Sequence, residues 1–229
     1  MSADVRVVDD PAAEVAGMLV EVAQAGGHIV LTGGSTPKKA YQMAAERGVD
    51  WSGATVWFGD ERCVPPDDER SNFAMANASL LSRLDPPPTV QRIEGELGHE
   101  AGAGAYEAAV REHLGGEPRF DLLLLGLGPD GHTASLFPGK PEVEEHGRLV
   151  VGVPVAGMDP QVPRISLTLP ALNSARAVVF LVTGSEKARA VARAFGDQPD
   201  RNLPAARVRP EAGSVTVLLD EAAAAELRG

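Results

Sequence analysis

Residues Phe120–Gly139 read FDLLLLGLGPDGHTASLFPG, and the fold turns on how this stretch is understood. Four leucines, Leu122–Leu125, run without interruption into Gly126, Gly128 and Gly131. An apolar run this short, closed by glycine, predicts a strand buried on both faces, as in a parallel sheet. Open α/β sheets bind ligands beyond the carboxyl ends of their strands. Asp130 and His132 follow the run at once and are therefore candidate functional residues. The same glycines also spell G-x-G-x-x-G, the dinucleotide fingerprint. That fingerprint needs a helix opening at the third glycine, whereas Pro138 and Pro141 leave room for about two helical turns and His132 would crowd a pyrophosphate. A plain glycine turn, with Asp130 as a cap and His132 as an ordinary polar neighbour, is the other reading of the segment taken alone.

Outward from this strand, strand and helix patterns alternate. Val5–Val8 reads as a first strand. Asp10 then caps a helix that opens on Pro11, carries Val15, Leu19 and Val22 on one face, and stops at Gly26. Ile29–Leu31 is a strand running into Thr32-Gly33-Gly34-Ser35-Thr36-Pro37, with Thr36 and Pro37 as N-cap and first turn of the next helix. Val56–Phe58 is a further strand, followed by the charged run Asp60-Glu61-Arg62, which reads as a loop. Ser71 opens one helix, and Tyr106, Val110 and Leu114 mark the face of another.

Leu149–Val153, Ile165–Leu169, Val178–Val182 and Val215–Leu219 supply more strands. In the second of these Arg164, Ser166 and Thr168 alternate with Ile165, Leu167 and Leu169, which predicts a half-buried strand with a polar face. Lys187 falls in the first turn of a helix starting near Glu186, and Asp220 caps a last helix. The rhythm predicts an α/β fold: a doubly wound, mostly parallel sheet flanked by helices, of Rossmann-like type. A single domain over residues 1–229 is expected, with a peripheral excursion near 140–170.

Composition bounds the function. With 44% hydrophobic residues, the 229-residue chain can bury a substantial core. A net charge of −11 argues against nonspecific binding to nucleic acid or an anionic membrane. An anionic small ligand would also be repelled at long range, so a few placed cations must hold it. Cys63, the single cysteine, excludes an intramolecular disulfide and fits a reducing compartment. The opening MSADVRVVDD has no basic leader start, and no 18-residue apolar stretch occurs. A cytoplasmic, soluble protein acting as a monomer is expected, with no membrane or nucleic-acid partner. His28, His99, His113, His132 and His146 show no metal-binding spacing, one cysteine gives no zinc site, and G-x-S-x-G is absent. No metal or other cofactor is expected. What remains is a reaction using one histidine and several cations.

Three polar loops besides the His132 segment follow predicted strands. Thr32–Thr36 places free backbone N–H groups at a helix N-terminus, which is either an anion cradle or a plain βα turn. It lacks the Walker A pattern. Asp60-Glu61-Arg62 is a solvated loop or part of a site. In Thr183–Lys187, a lysine opposing the helix dipole makes sense if it faces an anion. Arg164, alone at a strand start, is either solvated or a ligand contact. Their shared position at strand ends is the stronger signal.

LTGGSTP (31–37), GDERCVPPDDERSNFAM (59–75), GLGPDGHTASLFPG (126–139), RISLTLPALNSA (164–175) and FLVTGSEKA (180–188) together resemble the 6-phosphogluconolactonase family, in the family's order and over nearly the whole chain. The resemblance implies an α/β fold shared with glucosamine-6-phosphate deaminases and ribose-5-phosphate isomerases. It implies hydrolysis of a small-molecule sugar-phosphate lactone, 6-phospho-D-glucono-1,5-lactone, in the pentose phosphate pathway. By the same resemblance His132 is the general base, and Arg62 and Arg164 hold the anionic end of the substrate. Gly33, Gly34, Ser35 and Thr36 form the phosphate loop, and Lys187 matches a phosphate-binding lysine. Asp60 and Asp130 match acidic positions that either touch substrate or orient loops. The related deaminases carry a glutamate five residues after the histidine, where this chain has Phe137. An aromatic hydrocarbon cannot shuttle protons between carbons, so the lactonase is favoured over the deaminase. The fold also serves as a sugar-phosphate sensor in transcriptional regulators, but those usually add a helix-turn-helix segment and a basic surface, and neither is visible here.

Overall fold

The computed structural model describes residues 3–115 and 119–227. Met1 and Ser2, which open the stretch read for a leader, lie outside them. The central leucines form strand β6 (Leu122–Leu125), all four of them buried. Around β6 the chain builds a seven-stranded sheet. It contains β1 (Asp4–Val7), β2 (His28–Leu31), β3 (Thr55–Phe58), β5 (Thr89–Val90), β6, β9 (Ala177–Val182) and β10 (Ser214–Leu219). Their order is β1-β10-β9-β6-β2-β3-β5, and every pairing is parallel. The chain runs outward from β2 to β3 and β5, then returns to the other side of β2 as β6. A crevice forms at such a reversal, above the carboxyl ends of the two strands.

Helices α1 (Pro11–Gln24), α2 (Ser35–Ala45), α3 (Asn72–Ser79), α4 (His99–Leu114), α5 (Leu169–Leu172) and α6 (Ala188–Phe195) connect the strands. The Asp10 carboxylate accepts the Ala13 N–H at 3.2 Å, and Pro11 opens α1, as the sequence predicts. Val15 and Leu19 are buried together with Ala12, Ala16 and Ala23, small residues that let α1 lie close to its neighbours. Among the described residues no helix is long and apolar enough to cross a membrane.

The charged run after β3 is not a loop. Asp60–Arg62 is strand β4, which pairs antiparallel with β8 (Arg164–Leu167), itself paired antiparallel with β7 (Val150–Val153). Gly59 joins the two sheets: its N–H donates to Leu31 in the parallel sheet, and its carbonyl accepts from the Leu167 N–H in the small one. The excursion expected near 140–170 contributes β7 and β8 to this sheet. All four residues of β8 are buried, not half-buried. Its apolar face packs on α4, while its polar face, with Arg164 and Ser166, meets the loop after β6.

Two other expectations fail locally. After Asp220 the chain forms turns through Leu227, although the carboxylate still accepts the Ala223 N–H at 2.7 Å. The helix expected near Glu186 begins at Ala188, preceded by a 3-10 turn, Ser185–Lys187.

Two tyrosines fasten the ends of the central strands. The Tyr41 hydroxyl donates to the Thr32 carbonyl at 2.8 Å and accepts from its N–H at 2.9 Å; Tyr106 does the same at Phe58, at 3.0 and 2.9 Å. Each phenol takes the place of a missing strand neighbour, and burial pushes both pKa values up. Tyr106→Phe should strand a buried N–H and carbonyl and cost about 1–3 kcal/mol. Thermal unfolding should show this as a fall in Tm of about 2–4 °C per kcal/mol; an unchanged Tm would mean that water replaces the hydroxyl.

Candidate active site

A cavity of about 260 Å³ opens above the carboxyl ends of β2, β6 and β9. The Gly33–Thr36 turn, Asp60, Arg62, His132, Arg164 and Lys187 all line it. Asp130 does not; it stands behind His132.

The turn after β2 delivers a bare helix end. Gly34, not Thr36, is the N-cap of α2, with φ of 109°, and no side chain bonds the first N–H groups. The helix therefore starts at Ser35, and its unpaired donors and positive dipole end face the cavity. The Thr36 hydroxyl lies 3.1 Å from the Thr183 hydroxyl, tying this turn to the one after β9. Asp220 accepts the Gly184 N–H at 3.1 Å and holds that second turn from the outside.

Strand β4 sorts its three charges by the two-residue period of a strand. Asp60 and Arg62 face the cavity, whereas Glu61, 3% exposed, points away. The Glu61 carboxylate accepts the N–H groups of Asn72 and Phe73, each at 2.7 Å, and the Ser71 hydroxyl at 2.9 Å. It thus caps α3 beside Ser71, whose own oxygen accepts from Ala74. Burial pushes the Glu61 carboxyl above its ordinary value, against the pull of these hydrogen bonds. Asp60 accepts from the Ser135 hydroxyl at 2.6 Å and from the Asn72 amide at 3.2 Å.

His132 is held from behind. Its Nδ1 lies 2.6 Å from Asp130 Oδ1, the same oxygen that accepts the His132 backbone N–H at 3.1 Å. A carboxylate there selects the tautomer with hydrogen on Nδ1 and leaves the lone pair on Nε2. Burial alone would raise the Asp130 carboxyl, but the hydrogen bond and charge of His132 outweigh it and hold it low. Gly128 makes the arrangement possible, because a Cβ at that position would fall 1.9 Å from Nδ1. The glycine spacing serves the imidazole, and no helix opens at Gly131.

The arginines are neighbours across the small sheet, since Arg62 and Arg164 are register partners. Arg164 is 2% exposed; its Nη2 donates to the carbonyls of Met158 and Pro160 at 3.0 and 3.2 Å. Neither arginine makes an ion pair among the described residues, and the Nε of each is buried without a partner. Burial lowers the Arg164 pKa; Arg62 adds to this and Asp60 opposes it. A guanidinium nevertheless stays charged. Like charges side by side in a sheet repel, and an anion between them would relieve that.

Asn72, Met158, Asp159, Thr183 and Glu186 also line the cavity and were not singled out in the sequence. Asn72, Thr183 and Glu186 stood in motifs already quoted, so the signal was present. Met158 and Asp159 lie in a segment with no motif.

Fold and cavity together define an α/β protein that can hold a small anion beside a supported imidazole. The family model described as "Glucosamine-6-phosphate isomerases/6-phosphogluconolactonase" matches residues 4–217. The chain is 42% identical to a 6-phosphogluconolactonase of Mycobacterium leprae over 214 residues, 88% of this chain and 85% of that protein. It is 44% identical to the human 6-phosphogluconolactonase over 173 residues, 74% and 67% of the two chains. A solved 6-phosphogluconolactonase from Trypanosoma cruzi matches with a TM-score of 0.86 at 32% identity, covering 100% of this chain and 99% of that one. A monomeric glucosamine-6-phosphate deaminase, 19% identical with a TM-score of 0.83, shares the fold; it covers 99% of this chain and 100% of its own. The chain belongs to the glucosamine-6-phosphate isomerase/6-phosphogluconolactonase family.

Glu61→Gln should place an NH2 group against the donors at the start of α3, or leave one of them unpaired, and lower unfolding free energy by about 1–3 kcal/mol. Urea denaturation checks this. Wild-type stability in the variant would show that α3 does not depend on the carboxylate.

Proposed function

We propose that this protein hydrolyses 6-phospho-D-glucono-1,5-lactone to 6-phospho-D-gluconate in the oxidative pentose phosphate pathway. The observation that carries the reading is His132, backed by Asp130, in one cavity with Arg62, Arg164 and Lys187. Relatives named 6-phosphogluconolactonase, 42% and 44% identical, support it.

In this mechanism the substrate's phosphate is held by the bare end of α2 and by the cavity's cations, which orients the ring. Nε2 of His132 takes a proton from water as the water oxygen attacks the lactone carbonyl. Asp130 stabilises the imidazolium that forms. The oxyanion collapses, the ring C–O bond breaks, and the imidazolium returns its proton to the departing C5 oxygen. Water is added across one bond, and the histidine is restored. General-base assistance of this kind is worth about 10²–10⁴-fold. Asp60, anchored by Ser135 and Asn72, keeps β4 in register and can accept a sugar hydroxyl. The reading includes action as a monomer in the cytoplasm; the free thiol Cys63 supports that location.

Hydrolysis of freshly generated lactone, measured above its spontaneous rate, is the test. His132→Ala should lower kcat by about 10²–10⁴-fold with little change in KM. Near-normal turnover would remove His132 as the base. Arg164→Ala and Lys187→Ala should act mainly by raising KM, and wild-type KM in both would refute the anion-site assignment.

A further inference from the structure

Phe137 is 2% exposed and does not line the cavity, yet it touches two groups that do. Its ring centroid lies 4.7 Å from that of His132, with the planes inclined at 42°. The guanidinium carbon of Arg164 stands 5.5 Å from the same ring centre. Gly157 closes a third side so tightly that a Cβ there would fall 2.6 Å from the ring.

The backbone that carries Phe137 is fixed on several sides. The Thr133 hydroxyl donates to Gly126, and the Ser135 hydroxyl donates to Asp60 at 2.6 Å. The Ser135 N–H donates to Ser166 on β8, and the Phe137 carbonyl accepts from Lys140. The ring therefore hangs from a braced segment.

His132 and Arg164 are each incompletely held by polar contacts. One hydrogen bond on Nδ1 lets an imidazole turn about that bond. Among the described residues Arg164 donates only through Nη2, and its Nε has no partner. Neither set of bonds fixes the plane of its group, whereas contact with a rigid aromatic ring restrains both planes. An aromatic face also tolerates positive charge, so guanidinium and imidazolium can share it. A polar side chain at this position would instead offer hydrogen bonds that draw either group out of line.

We propose that Phe137 is a positioning residue that sets the placement of His132 relative to Arg164, and so of the base relative to the bound anion. The proposal rests on the lactonase reading above. Phe137 stands outside the cavity lining and acts through the two groups on its ring.

The test is a double-substitution cycle on lactone hydrolysis. Phe137→Leu should lower kcat by about 10-fold or more, through a loosened His132, and raise KM severalfold, through a loosened Arg164. Phe137→Met, closer in volume and equally lacking a flat ring, should do the same. In the Arg164→Ala background the further rise in KM should vanish while the loss in kcat persists. The same factor in KM in both backgrounds would reduce Phe137 to packing and overturn the proposal. So would kcat and KM within about twofold of wild type in both single variants. Failure of both variants to fold, read by circular dichroism, would likewise make it a packing element only. A wild type without turnover removes the lactonase reading and this inference with it; an active wild type with indifferent Phe137 variants removes the inference alone.

Discussion

The two hydrogen bonds of Gly59 organise the molecule's working end. Its N–H closes the ladder of the parallel sheet on Leu31, and its carbonyl starts the antiparallel ladder on Leu167. One residue thus carries the chain from one sheet into the other. The small sheet is thereby set beside the carboxyl ends of the large one, where Arg62 and Arg164 meet the loop that bears His132. Asp60, the next residue, bonds Ser135 in that loop and locks the two structures together. The loop of His132 follows a strand of the large sheet whereas Arg62 and Arg164 sit on the small one, and their mutual position depends on this junction.

The junction also explains how an acidic protein can present the anion site proposed above. At a net charge of −11, long-range attraction is not available. Instead the fold sets a buried arginine, Arg164, beside a half-buried one, Arg62, each with a buried Nε that has no partner among the described residues. A desolvated charge without a partner is costly, and the cost falls when an anion binds. In the proposed reading, selectivity comes from the short-range geometry of the guanidinium groups and not from the overall field.

The parallel sheet was legible because its strands are buried on both faces, which leaves runs such as Leu122–Leu125 that nothing else explains. Strand β4 was not, since three adjacent charges show no apolar period; its strand character comes from partners on β8, more than a hundred residues away. The alternation around Arg164 was read correctly as far as Leu167, whereas Thr168 caps α5 and Leu169 opens it, and the polar face meets Ser135 instead of water. Thr36 and Pro37 looked like a helix start because their types suit one, yet Gly34 supplies the turn and α2 begins at Ser35. In the site, residues in glycine-bearing strand-end loops could be named in advance. Asp130 could be named but not placed: only coordinates put it behind the imidazole. Met158 and Asp159 could not be found, because nothing local marks the segment that tertiary packing folds over the cavity.

Sharing one residue between two sheets leaves no slack in chain length there. A single insertion between Gly59 and Arg62 would shift β4 by one position, turning Glu61 into the cavity and Arg62 toward the start of α3. The helix would lose its carboxylate and the cavity a cation in the same event. Sequences that diverge from this one are therefore free to lengthen their outer loops, while this segment can change in residue type but not in number.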